Sequence, residues 1–246
     1  MAKTLVHTFP FRTFQQDIDC MNRMSLPALV RAILNAACMA ANDNRFGTIQ
    51  LNEEGLTWVL SRINIEINSL PEPEHTFYIT TWIEACNNLV STRNFKLTDE
   101  KGMLLGQACS LWSIIDVKTR MPINLLERSE LMEAVEGTAT TCSRPRHIKM
   151  PEQVDTCQEH TVVYSDLDFN HHVNSTKYIE WMMNILPIAV IEKQWIKACT
   201  INYSAESYHG EKVVLTQKTE ESNSKCSVKR GDRVLCTMKI DWKNEI

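Results

Sequence analysis

The sequence predicts an α+β fold built from two similar halves. Two segments place apolar residues at helical spacing, and each is followed by segments in which apolar and polar residues alternate, as in half-buried strands. A short motif before the first helical segment also aligns without gaps with a motif before the second. Because a sheet with one apolar face can bury that face by curling around a helix, we expect two antiparallel sheets, each wrapping one long helix.

The repeated motif opens each half. Residues 17–25 read DIDCMNRMS, and residues 166–174 read DLDFNHHVN. A chain of 246 residues can bury its core either as one large domain or as two small ones, and the repeat favours two. The expected domains are residues 1–130 and residues 151–246, joined by a polar linker over residues 131–150.

A buried helix is predicted after each motif. Apolar residues recur at helical spacing over residues 26–43, with Ser25 as the N-cap and a glycine beyond the end as a stop. The same pattern over residues 175–192 predicts a second helix behind Asn174 or Ser175. One proline inside this second segment should end or kink it.

Each helix is followed by four predicted strands. Their β-branched and aromatic residues alternate with polar ones, as a half-buried strand requires. The segments are residues 56–68, 76–87, 90–97 and 104–117 in the first half, and residues 196–204, 212–219, 224–229 and 233–242 in the second.

Composition argues against several classes of protein. A formal net charge of −4 disfavours non-specific binding of nucleic acid, which needs a basic excess to displace counterions from phosphates. The nine cysteines are scattered, with no CxxC pair, so we expect reduced thiols and no metal site. The N-terminal residues lack the order of a signal peptide, and no apolar run approaches the roughly 20 residues of a membrane span. These observations predict a cytoplasmic protein with no membrane span.

One polar cluster, just before the second predicted helix, can carry chemistry. Asp168, Asn170 and His172 stand there, whereas the first motif has Met21 and Arg23 in place of the last two. Histidine suits proton transfer near neutral pH, an aspartate can orient it, and amides at a helix N-terminus can hold an oxyanion. Taken alone, the same residues equally suit helix capping and a solvated histidine.

A longer stretch resembles a known family. Residues 164–181, YSDLDFNHHVNSTKYIEW, look like the DLDxNxHVNxxKYIxW signature of the acyl-acyl-carrier-protein thioesterases of plants and bacteria. The likeness covers nearly the whole chain, because TWIEACNNLVSTRNF, with Trp82 and Arg93, and ACSLWSIIDVKTR, with Trp112 and Asp116, resemble the family's first half. The resemblance implies a double (tandem) hotdog fold and hydrolysis of fatty acyl groups from acyl carrier protein, with no cofactor.

The resemblance also implies which residues act. The Asp, Asn and His of the signature correspond to Asp168, Asn170 and His172, and the glutamate of a downstream Glu-Cys pair corresponds to Glu206 in INYSAES. Ser207 stands where the family has the cysteine, which removes the sulfur that a Cys-His-Asn triad needs. This departure favours direct attack by water, activated or positioned by Glu206 and His172. Two alternatives remain. Ser207 can act as the nucleophile, and Glu206 can be a structural ion-pair partner.

The partner implied by the resemblance is an acidic acyl carrier protein, whose acyl chain enters an apolar tunnel lined by the first repeat. Docking of such a partner needs a basic patch. The densest basic cluster consists of Arg144, Arg146 and Lys149, and a second cluster lies later in the chain. Both clusters also fit ordinary solvated surface charge. The second cluster consists of Lys229, Arg230 and Arg233.

Two other functions stay in view, a hotdog acyl-thioester dehydratase and a non-catalytic module that binds acyl thioesters. The polar cluster is intact in one repeat and degenerate in the other. Binding alone gives no reason for that asymmetry, so the sequence favours an enzyme. A homodimer stays open.

Overall fold

The computed structural model describes residues 4–244. The chain divides into two compact units between Pro145 and Arg146, and this division falls inside the linker predicted over residues 131–150. In each unit the described strands pair antiparallel with one another. Helices and antiparallel strands in each unit confirm the predicted α+β class.

The first unit orders its strands as β1-β3-β4-β5-β2. Its long helix, α1, packs against β1 and β3, and its inner face buries Leu29, Val30 and Ile33 almost completely. The elements are β1 (Val6–Arg12), α1 (Leu26–Asp43), α2 (Thr48–Glu53), β2 (Leu56–Ile67), β3 (Thr76–Cys86), β4 (Ser91–Asp99), β5 (Leu104–Asp116) and α3 (Ser129–Met132).

Helix α1 has the bounds that its periodicity predicts. The Ser25 hydroxyl accepts a hydrogen bond from the Ala28 amide at 3.4 Å, which caps the helix N-terminus. The helix ends at Asp43 with Asn44 as its C-cap. Gly47, expected as the stop, instead forms the N-cap of α2, because the chain has already left the helical conformation three residues earlier.

The second unit orders its strands as β7-β10-β9-β8-β6. Its longer helix, α4, packs against β8, β9 and β10. The elements are β6 (Thr156–Thr161), α4 (Ser175–Asn184), α5 (Ile188–Lys193), β7 (Gln194–Tyr203), β8 (Lys212–Thr219), β9 (Asn223–Arg230) and β10 (Arg233–Asn244).

The helix predicted over residues 175–192 is broken at its proline, as expected, and the structure forms α4 and α5 in place of one helix. Pro187 is the N-cap residue of α5, with φ −59° and ψ 126°. Proline lacks the N–H that would continue the helix and pushes the residue before it out of the helical region. The eight predicted strands are all present, with ends that differ from the prediction by at most two residues.

No helix within residues 4–244 has both the length and the apolar character that crossing a membrane requires.

Candidate active site

The turn between β6 and α4 presents the predicted polar cluster. Asp166 is buried, and its Oδ2 accepts a hydrogen bond from the Val163 amide at 2.8 Å. The carbonyl of Asp166 accepts from the Asn174 amide, also at 2.8 Å. The side chain of Asn174 in turn caps α4 by accepting from the Thr176 amide at 3.0 Å. These contacts fix the turn at both ends.

The Asp168 side chain forms hydrogen bonds with the backbone of the turn. Its Oδ1 accepts hydrogen bonds from the backbone amides of Asn170 at 2.8 Å and His172 at 3.2 Å. Its own amide donates to the His172 carbonyl at 2.7 Å. The sharp reversal places His171 in the left-handed region, at φ 61°. The Asp168 carboxylate therefore binds the backbone of His172, which sets the position of the histidine side chain.

His172 and Glu206 form a pair. His172 Nδ1 lies 3.2 Å from Glu206 Oε1, and the two side chains are 21% and 31% exposed. The nearby carboxylate favours the tautomer with the hydrogen on Nδ1, which leaves Nε2 as the nitrogen that can exchange a proton with a substrate. The ring of Tyr208 meets the imidazole edge-to-face, with 5.0 Å between ring centroids. The structure thus brings together two of the predicted residues at an accessible place.

Ser207 lies beside this pair but is fully buried. Its hydroxyl donates to Glu211 Oε2 at 2.7 Å, and the Tyr208 amide donates to the same oxygen at 3.0 Å. Arg230 Nη1 lies 2.5 Å from both carboxylate oxygens of Glu211. Desolvation raises the pKa of Glu211, but the hydrogen bonds from Arg230, Ser207 and Tyr208 outweigh it, so the pKa is lowered overall.

Glu211 and Arg230 are residues that the sequence did not single out for the site. They hold the segment that contains Ser207 and Tyr208. The Ser207 carbonyl accepts from the Val173 amide at 2.9 Å, which ties this segment to the turn that carries His172. The one available signal was a glutamate four residues after Ser207. Nothing in the sequence indicated that Arg230, on another strand, would face it.

The remaining predicted residues lie apart from the pair. The side chain of Asn170 is exposed at the tip of the turn. Arg144 is exposed but forms an ion pair with Glu84 and a hydrogen bond with Thr92 Oγ1 at 3.3 Å. Arg146 and Lys149 are exposed. In the second basic cluster, Arg230 forms an ion pair with Glu211.

The first unit contains a pocket under α1. It has a volume of about 70 Å³, and Ala37 lines it, whereas the buried Ala36 does not. The lining residues are Leu34, Ala37, Cys38, Ala41, Thr48, Trp58, Ser91, Arg93 and Trp112. Across the part of the chain that the structure describes, no group of three or more His, Cys, Asp or Glu side chains is arranged to hold a metal ion.

Two family models match the chain. The model described as the acyl-ACP thioesterase N-terminal domain matches residues 4–132, and the model of the acyl-ACP thioesterase C-terminal domain matches residues 149–244.

Solved structures and curated relatives agree with these matches. A crystal structure of an acyl-ACP thioesterase from Bacteroides thetaiotaomicron is 31% identical, with a TM-score of 0.87 over 97% of this chain and 98% of that one. The 12:0-ACP thioesterase from Umbellularia californica has the same fold, with a TM-score of 0.89, 22% identity and 98% of each chain covered. A dodecanoyl-[acyl-carrier-protein] hydrolase of Cinnamomum camphora is 26% identical over 81% of this chain and 55% of its own length. The chain spans about half the length of the curated relatives it matches.

Proposed function

The chain belongs to the acyl-ACP thioesterase family, and from this premise we propose that it hydrolyses the thioester of a fatty acyl-acyl carrier protein. The products are the free fatty acid and the holo carrier protein. Two features support the proposal: the family membership, and a histidine-carboxylate pair at an accessible position in the second unit.

In the proposed reaction, water attacks the thioester carbonyl carbon. His172 Nε2 takes a proton from the water as it attacks, and Glu206 stabilises the imidazolium that forms. Collapse of the tetrahedral intermediate breaks the C–S bond, and the proton passes from His172 to the phosphopantetheine sulfur, which leaves as a thiol. The exposed amide of Asn170 is the proposed hydrogen-bond donor to the substrate, and Asp168 acts as a positioning residue through the backbone of the turn.

The contacts of Ser207 support attack by water over an acyl-serine intermediate. A nucleophilic hydroxyl must reach the substrate and must have a base to accept its proton. Ser207 is fully buried and donates its hydrogen to Glu211, a carboxylate that is also bound to Arg230. This hydroxyl therefore has a structural partner, and the chemistry is assigned to His172 and Glu206.

The observation that carries the proposal is the 3.2 Å contact between His172 Nδ1 and Glu206 Oε1. Its test is thiol release from acyl carrier protein loaded with acyl groups of different lengths, catalysed by the wild-type chain and by Glu206→Gln. We expect release by the wild-type chain and a large loss of kcat in the variant, because a neutral amide stabilises the imidazolium less. Undetectable release from every acyl carrier substrate would reject the proposal.

We also propose that the two units are hotdog repeats in tandem, with boundaries at residues 1–130 and 151–246, and that they divide the work. The supporting observations are the duplicated helix-and-sheet pattern and the likeness to thioesterase structures over nearly the full chain. The second unit contains the histidine-carboxylate pair, and the first contains the pocket under α1. In this proposal the first unit receives the acyl tail.

Docking of the carrier protein is proposed to use Arg146 and Lys149, which are exposed, more than Arg144, whose guanidinium already pairs with Glu84. Raising the salt concentration from low to about 0.5 M should then raise KM for acyl carrier substrates, since screening shortens the reach of surface charge. KM for the same acyl group on a small thiol should change less. Equal responses would remove these residues as candidates.

A cytoplasmic location stays a prediction from the sequence, and the plant relatives are named chloroplastic.

A further inference from the structure

Arg93 is a buried cation that has no acidic partner in the part of the chain that the structure describes. It lies on β4, and 7% of the residue is exposed. Burial lowers its pKa to about 10, so it is charged at neutral pH, and no Asp or Glu within residues 4–244 opposes this shift. Among residues 4–244, its guanidinium makes one hydrogen bond, from Nη1 to Thr81 Oγ1 at 3.4 Å. Buried charges are ordinarily paired, because an unpaired one forfeits its hydration.

Arg93 lines the pocket under α1, and most of the other residues that line it are apolar. Trp58 and Trp112 line it and meet edge-to-face, with 6.4 Å between ring centroids. Both indole N–H groups are already bonded, that of Trp58 to the Phe46 carbonyl at 2.9 Å and that of Trp112 to Ser110 Oγ at 2.7 Å. The tryptophans therefore present hydrocarbon surface to the pocket, and Arg93 supplies its charge.

We propose that the pocket under α1 is a binding site for a carboxylate on an aliphatic chain, with the carboxylate on Arg93 and the chain against the two tryptophans. The planar guanidinium matches a carboxylate with two parallel hydrogen bonds. The carboxylate can be the far end of an acyl chain under hydrolysis, which rests on the proposed function, or the head of a free fatty acid, which does not.

The first arm of the test measures binding of octanoate and of octanamide, its uncharged analogue, to the full chain by calorimetry. We expect octanoate to bind at least about tenfold more tightly than octanamide, since a hydrogen bond to a charged group contributes about that factor. Arg93→Met should abolish this preference, and Arg93→Lys should keep part of it. His172→Ala should leave it unchanged, which places the ligand away from the catalytic pair.

A second variant covers the case in which Arg93→Met does not fold. Cys38 lines the pocket and is exposed, so Cys38→Phe should cover the opening with little effect on the core. It should weaken octanoate binding while Arg93 is intact. The proposal is wrong when octanoate and octanamide bind alike to the wild-type chain, or when neither Cys38→Phe nor a folded Arg93 variant weakens octanoate binding.

The second arm identifies the source of the carboxylate. It compares kcat/KM for octanoyl and octanedioyl groups on the same carrier protein. A preference for octanedioyl that Arg93→Met removes assigns the site to the acyl tail. Equal values, together with selective octanoate binding, assign it to a free fatty acid. Absence of hydrolysis for both substrates counts against the proposed function alone, because the binding arm decides the carboxylate site independently.

Discussion

The turn over residues 17–25 and the turn over residues 166–174 have the same backbone hydrogen bonds but different side chains. In each, one aspartate oxygen accepts from the amides two and four residues further on. In each, one residue lies in the left-handed region, at φ 57° in the first turn and 61° in the second. The matching distances are 2.9 and 3.0 Å from Met21 and Arg23 to Asp19, and 2.8 and 3.2 Å from Asn170 and His172 to Asp168.

The side chain four residues after the aspartate makes the difference. In the first turn, Arg23 Nε lies 3.5 Å from Asp19 Oδ2, so Arg23 forms an ion pair with the aspartate of its own turn. In the second, His172 reaches out to Glu206. The comparison teaches that this turn forms equally well without a histidine. The histidine-carboxylate pair depends on a histidine at this position and on a carboxylate from another segment.

The sharpest test of the comparison replaces the corresponding residue in each turn. His172→Ala should lower kcat by about 100-fold or more, because a general acid-base group contributes roughly 10² to 10⁴ in rate. Arg23→Ala should leave kcat within a few-fold of wild type. Thiol release at saturating acyl carrier substrate measures both. Equal losses in the two variants would mean that the turns are not functionally distinct.

Replacing Asp19 and replacing Asp168 should have similar effects on stability but different effects on activity. Asp19→Ala and Asp168→Ala each leave two backbone amides without their acceptor, so each should lower the free energy of unfolding by about 1–3 kcal/mol. Only Asp168→Ala should also lower kcat, by roughly tenfold or more, since a small displacement of a catalytic group is costly. Urea unfolding and thiol release provide the two measurements. Full activity in folded Asp168→Ala would contradict its positioning role.

Variants at Ser207 and Glu211 should differ in activity, because the Ser207 hydroxyl has a structural role and the Glu211 carboxylate holds the segment in place. Ser207→Ala removes one of several bonds to Glu211 and should keep most of the activity, whereas Glu211→Ala frees the segment beside Glu206 and should lower kcat by about tenfold. Glu211→Gln keeps an acceptor for Ser207 and is the matched control, with a smaller loss. Accumulation of an acyl-serine, with Ser207→Ala as inactive as His172→Ala, would overturn the assignment to water.

The pKa of Glu211 adds a pH dependence to this comparison. Because the folded-state pKa is lowered from the ordinary value of 4.5, the carboxylate contributes stability that is complete above that value and is lost as the pH falls below it. Glu211→Gln should therefore be less stable than wild type at neutral pH, and the difference should shrink in acid. Thermal unfolding from pH 7 down to pH 3 measures this. A constant difference would show that the charge is irrelevant.

The sequence was sufficient for the features that depend on local pattern. The period of the apolar residues predicted α1 and the eight strands, and the aligned motifs predicted two similar turns. At Pro187 the helical spacing of the side chains continues although the helix does not, and the proline itself predicted this break. The sequence also did not predict the contact between Glu211 and Arg230, or the pocket at Arg93. These contacts join side chains from separate strands or line a space between elements, so they depend on strand register and packing depth.

The smallest predicted effect concerns acyl chain length, and it tests the division of work between the units. Ala36 and Ala37 are adjacent in α1 and both buried, but only Ala37 lines the pocket. Ala37→Val should shift the preference of kcat/KM toward shorter acyl chains, by about fourfold for each methylene excluded, since one buried methylene contributes roughly 0.8 kcal/mol. Turnover of the chains that still fit should be little changed, because the attacking groups lie in the other unit. Ala36→Val is the matched control: it adds the same volume to packed core, so it should lower the free energy of unfolding by about 1–3 kcal/mol without a change in the length profile. Both profiles can be measured by thiol release across a series of saturated acyl carrier substrates. If Ala37→Val leaves the profile unchanged while bulky substitutions in the second unit alter it, the acyl tail does not bind under α1.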